Sequence, residues 1–123
     1  MRKILFRGKR VDNNEWVYGY YLRAEYEEKT FIVVFDGIES GETLFDSIEV
    51  DPKTIGQFTG FFDKKENMIF EGDLLHTPGY YCEVRFIDGM FCSVYNHPED
   101  GETLPLVDLS PERFEIIGNI YEN

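Results

Sequence analysis

With 123 residues, 42% of them hydrophobic and 16% aromatic, the chain is long enough to bury one core without metal or disulfide staples, which excludes a disordered protein. Its formal charge of −12 is uneven: residues 1–23 hold six Lys/Arg against Asp12 and Glu15, and the remainder holds six against 22 acids, so +4 is followed by −16. That acidity disfavours a nucleic-acid partner, whose phosphates are bound through basic side chains, and the absence of any apolar run near ~18 residues disfavours a membrane span.

The start, "MRKILFRGKR", has no apolar centre of the secretory type, so the expected location is cytoplasmic. Short β-rich runs broken by Gly, Asn, Asp and Pro every 8 to 15 residues predict a mostly β domain with little helix. "KILFRG" is the first strand, "DNNE" at 12–15 a turn, and "WVYGYYL" at 16–22 a second strand with Trp16, Tyr18, Tyr20 and Leu22 on one face. The charged "AEYEEK" at 24–29 is a connector. "TFIVVF" at 30–35 reads as a strand covered on both faces, "DGIESGE" turns the chain, and "TLFDSIEV" at 43–50 fits a strand or a short helix. Asp51-Pro52 ends that element and marks the one plausible seam, near 51–53, between two β subdomains that share a single domain of 1–123.

Residues 80–95, "YYCEVRFIDGMFCSVY", predict a hairpin turning at Asp88-Gly89, because a two-residue turn of this kind needs φ > 0 at both central positions. The turn fixes the register: Ile87 faces Met90, Phe86 faces Phe91, Arg85 faces Cys92 and Val84 faces Ser93. Cys82 and Cys92 then lie on opposite faces and do not bridge, since a disulfide needs converging Cβ atoms. Two unbridged thiols suit a reducing compartment. "NHPEDGETLP" at 96–105 is an acidic loop. Ser110-Pro111-Glu112-Arg113 predicts a short helical turn with Ser110 as N-cap, and "FEIIGNI" is the last strand.

No catalytic constellation stands out. The metal-ligand candidates His76, Cys82, Cys92 and His97 lack any paired spacing, and Ser40, Ser47, Ser93 and Ser110 lack a nucleophile context. Glycine-rich phosphate cradles are missing, so no cofactor or metal is expected. Glu71 and Asp73 alternate in a strand-like context, where two carboxylates on one side would interact and raise one pKa toward a general-acid role.

The stretch "TIGQFTGFFDKKENMIFEGDLL" at 54–75 carries the most specific pattern. Through Thr54, Gly56, Gln57, Phe58, Thr59, Gly60, Asp63, Lys64, Ile69, Phe70, Glu71, Gly72 and Asp73 it resembles the YopX family of phage and prophage proteins. "FRGKR", "WVYGYY" and "IIGNIYEN" extend the resemblance. The family's glycine in D-K-N-G is missing here, and in "DKKEN" Asn67 is the expected left-handed residue. The resemblance implies a phage-derived accessory protein that self-associates, with no catalytic residues to transfer.

The motif itself reads as architecture. Gln57 and Thr59 satisfy backbone groups, Gly56 and Gly60 permit a bulge or close approach, and Glu71-Gly72-Asp73 makes a sharp bend with Asp73 capping amides. The expected fold is mostly β: antiparallel hairpins in two intertwined subdomains, the C-terminal one curving toward an SH3-like barrel. The expected function is a non-enzymatic binding or assembly module that forms homo-oligomers or meets a phage or host protein. The alternatives are an acidic decoy of a nucleic-acid-binding protein, and a small-ligand or enzyme domain using Glu71, Asp73 or His76.

Overall fold

A computed structural model describes residues 2–95 and 102–122. Among them the chain is built from antiparallel strands, one four-residue helix and two 3-10 turns. In chain order the strands are β1 (Phe6–Lys9), β2 (Trp16–Ala24), β3 (Lys29–Glu39), β4 (Glu42–Val50), β5 (Gly56–Phe62), β6 (Met68–Phe70), β7 (Asp73–Thr77), β8 (Tyr80–Ile87), β9 (Met90–Tyr95), β10 (Thr103–Pro105) and β11 (Glu115–Asn119); helix α1 is Leu106–Leu109. One sheet has the order β4-β3-β2-β1-β5-β6, the other β10-β9-β8-β7-β11. Two compact units divide between Gln57 and Phe58, within β5. No helix among the described residues is long and apolar enough to cross a membrane.

In the first unit, β1 and β2 form the expected hairpin, with Arg7 opposite Tyr18 and Lys9 opposite Trp16. The turn between them is held by the amide of Glu15 donating to Asn13 Oδ1 and by Asn14 at positive φ. Asn tolerates that conformation because its side chain is short and polar. Residues 43–50 settle as strand, paired along their length with β3.

β3 departs from expectation twice. It does not turn at Asp36-Gly37 but runs on to Glu39, absorbing Asp36 as a bulge beside Gly37; the reversal comes at Ser40-Gly41, both at positive φ. A bulge and a turn share the same residue chemistry, so Asp-Gly alone does not separate them. Nor is the strand covered on both faces. Thr30 and Ile32 are buried, whereas Phe35 and Ile38 on the other face are exposed.

At Gly19 the backbone of β2 leaves no room for a side chain against β3. A Cβ added there would lie 2.3 Å from the carbonyl oxygen of Val33 and 3.0 Å from Ile32 Cγ2, so only glycine permits this spacing.

In the second unit the hairpin β8–β9 turns at Asp88-Gly89 in the expected register, Val84 opposite Ser93 and Arg85 opposite Cys92. Its inward face supplies Cys82 and Val84 to a core completed by Ile69, Leu75, Leu106 and Phe114. Cys82 and Cys92 are both free thiols. The five-stranded sheet is open: β10 and β11 stand at its two ends, so the SH3-like barrel closure does not form among the described residues. Both of those end strands are short, as edges tend to be.

The helical turn at Pro111–Arg113 is present, but Ser110 does not cap it through its side chain. Helix α1, which the sequence did not announce, ends just before it and places Ser110 in the left-handed conformation at its own C-terminus. The serine closes one element and so is turned away from capping the next.

Gly19→Ala should destabilise the fold by about 1–3 kcal/mol, the cost of forcing atoms into a filled space. Urea unfolding followed by tryptophan fluorescence measures it, and Trp16 in the same strand reports directly.

Candidate functional site

The motif at 54–75 organises backbone at both of its ends. At its start, in the first unit, the Thr54 hydroxyl donates to the carbonyl of Asp51 at 2.7 Å and accepts the amide of Lys9 at 2.9 Å. Gly56 and Gln57 then pair with Arg7 and Phe6.

In the second unit the β5–β6 pairing is irregular between Phe58 and Phe62, and Gly60 at φ 89° sits within that irregularity. A bulge strips backbone groups of their ladder partners, which must then be satisfied some other way. Thr59 does this: its hydroxyl donates to the carbonyl of Ile69 at 2.8 Å and accepts the amide of Phe61 at 3.1 Å.

Asp63 is the centre of the next turn. It is buried, and its Oδ1 accepts the amides of Lys65 (2.9 Å) and Asn67 (2.8 Å) while Oδ2 accepts that of Ile116 (3.1 Å). The neighbouring amide of Lys64 donates to the carbonyl of Phe114 at 2.8 Å. Burial pushes the Asp63 carboxyl up, but the amides of Asn67, Ile116 and Lys65 outweigh it and hold the group below the ordinary carboxylate range. The left-handed residue is Glu66 at φ 64°, and not Asn67. Asn67 is needed elsewhere, because its amide and carbonyl both bond back to Asp63. Glu66 therefore occupies the place of the glycine missing from D-K-N-G.

The E-G-D segment is a second tight corner. Glu71 and Gly72 form the turn and the strand begins only at Asp73, so Glu71 and Asp73 do not alternate along one strand. Asp73 is 1% exposed, and its Oδ2 accepts the amide of Phe70 at 2.8 Å. Gly72 has φ 90°, its amide donates to the carbonyl of Val84, and its carbonyl accepts the amide of Ile120. A Cβ at Gly72 would come within 2.9 Å of the Tyr121 ring. Positive φ and the ring together require glycine there.

The other candidates are scattered. His76 is exposed and alternates with buried Asp73 and Leu75 along β7, so His76 and Asp73 point to opposite sides of the strand. Cys82 is fully buried, and burial pushes its thiol up to about 12, which keeps it protonated at neutral pH. Cys92 lies across from Arg85, and His97 falls outside the described residues. Among the described residues no three of His, Cys, Asp and Glu are gathered as a metal site would need. A hollow of about 290 Å³ in the first unit is lined by both signs of charge, including Arg10, Lys29, Glu49 and Asp51. Two of its cations are already engaged, Arg10 with Asp12 and Lys29 with Glu49.

Acids elsewhere also alternate with bases: Glu115 meets Lys64 and Lys65, and Glu83 meets Arg85.

Residues 5–123 match the family described as YopX protein. The chain belongs to the YopX family. A solved structure, that of protein EF1440 from Enterococcus faecalis, resembles this YopX-family chain with a TM-score of 0.58 at 21% identity, over 100% of this chain and 96% of the other. At that identity the likeness concerns the fold. No curated protein matches the chain.

Two features of this YopX-family protein were not singled out from its sequence. One is Asp63 as a receptor for three amides; the signal available was an aspartate opening a turn, with donors two and four residues on. The other is that the Tyr18, Tyr20 and Leu22 side of β2 faces outward. The alternation was visible, but period two does not say which face is buried.

Asp63→Asn should cost about 2–4 kcal/mol at pH 7, since it removes a charged acceptor from three donors. Because the native pKa of Asp63 is depressed, its contribution is present above the unfolded pKa of about 3.9 and lost as pH falls through the native value. The gap between wild type and Asp63→Asn, followed by urea titration from pH 7 to pH 2, should therefore narrow on acidification. Glu66→Gly should act in the opposite direction, adding about 0.5–1 kcal/mol by relieving a left-handed non-glycine residue. Differential scanning calorimetry would show the higher Tm.

Proposed function

We propose that this YopX-family protein is a non-enzymatic assembly module, a phage- or prophage-derived accessory protein that works in the host cytoplasm by protein contact and self-association. The observation that carries this reading is an apolar sheet face left open to solvent in the first unit. Tyr20, Leu22, Phe35, Ile38 and Phe45 are 60%, 45%, 57%, 71% and 55% exposed, and all belong to three consecutive strands. Exposed apolar surface gathered on one face is the ordinary mark of a contact surface, whereas isolated exposed hydrophobics carry no such meaning.

The fate of the reactive side chains supports the same reading. Asp63 and Asp73, both buried, are engaged with backbone amides, and Cys82 is held as a neutral thiol within the core. The two carboxylates hold loops in place, and the thiol fills the core.

Sedimentation equilibrium of the purified chain between about 1 and 100 μM, a range suited to interfaces of ordinary size, should show reversible association. A strict monomer throughout would overturn self-association.

A further inference from the structure

We infer that the outer face of β2, β3 and β4 is the surface on which a second copy of this chain docks, sheet against sheet. The inference rests on the assembly reading above and assigns its interface. Register places the residues on one face: Tyr20 opposite Val33, Leu22 opposite Phe31, and Phe35 opposite Phe45, with Ile38 brought back to the same side by the bulge at Asp36. The rings of Phe35 and Phe45 meet edge-on at 6.2 Å, so part of the surface is already ordered. The inward face of the same strands is occupied by Thr30, Ile32 and Val50, all nearly inaccessible. These strands thus carry two apolar sides, one of them spent on the unit's own interior.

Area, charge and edge chemistry favour a second copy as the occupant. The exposed parts of these five side chains come to roughly 600 Å² per chain, and two such faces together reach about 1,200 Å², the lower bound of a specific interface. Two chains of −12 repel, so a stable contact between them must avoid burying like charges. This face meets that condition: Asp46 lies on the opposite side of β4 with Ile48, and Glu49 at the border is 4.0 Å from Lys29. Pairing through the free edge of β4 would instead bring Glu42, Asp46 and Glu49 of each copy together. An apolar face is also complementary to itself, as a two-fold interface requires.

The test compares Tyr20→Glu and Phe45→Glu with Phe86→Glu, an exposed aromatic in the second unit. All three positions are at least half exposed, and circular dichroism checks that each variant folds. Each of the first two should weaken association by about 100-fold in sedimentation equilibrium, and Phe86→Glu should leave it unchanged. Hydroxyl-radical footprinting of the wild type gives a readout free of mutation: Tyr20, Phe35 and Phe45 should become protected as concentration rises. Association that survives both substitutions, or protection that appears elsewhere, would overturn this surface while leaving the assembly reading standing. A wild type monomeric to about 100 μM would overturn both.

Discussion

The carboxylate of Asp63 is the constraint on which the second unit depends. A buried carboxylate is tolerated only where donors replace its water, and here three backbone amides do so, one of them from Ile116 in β11. The same atoms that stabilise the charge define the turn at 63–67 and fix where the last described strand lies. Thr59 and Asp73 repeat the solution on a smaller scale, each lending a side-chain oxygen where the β ladder is interrupted. The motif at 54–75 is thus a succession of breaks in strand pairing, each sealed by a polar side chain. Its glycines make room for those breaks, and its acids and hydroxyls satisfy them.

Local chemistry decided which parts of the fold could be read from sequence. Asp88-Gly89 between two apolar runs leaves one hairpin register, and the structure has it. Asp36-Gly37 carries the same residue pair but is a bulge, because β4 continues to pair beyond it; that is a property of the partner strand and not of the dipeptide. The left-handed position fell on Glu66 because Asn67 was already committed to Asp63. Ser110 looked like a cap for the turn that follows it, and α1, too short to show any periodicity, claimed it first. Asp63 itself stood in plain view, but its partner Ile116 lies 53 residues away, beyond the reach of spacing rules.

The first unit poses a different problem, one of faces. Alternation along β2 and β3 separates two sets of side chains correctly, and both sets are apolar. Composition therefore does not distinguish a strand buried on both sides from one that keeps its second side for another molecule. Only exposure separates them, and it places Tyr20, Phe35 and Phe45 in solvent. In a chain this acidic, an aromatic and aliphatic patch whose bordering carboxylate, Glu49, lies 4.0 Å from Lys29 exposes little of the carboxylate excess.

The pairing of β11 with β7 also bears on how the chain is made. β7 spans residues 73–77 and β11 spans 115–119, so the five-stranded sheet, whose strand β11 also lends Asp63 the amide of Ile116, is completed by the strand synthesised last among those described. Until that strand emerges, one side of β7 has no neighbour and Asp63 lacks the amide of Ile116. The local hairpin β8–β9 is free to form early, since its loop closes over two residues, whereas the long-range pairing must wait. A ribosome paused shortly before residue 115 would therefore hold a chain in which the Asp63 carboxylate still lacks one of the three amides that replace its water.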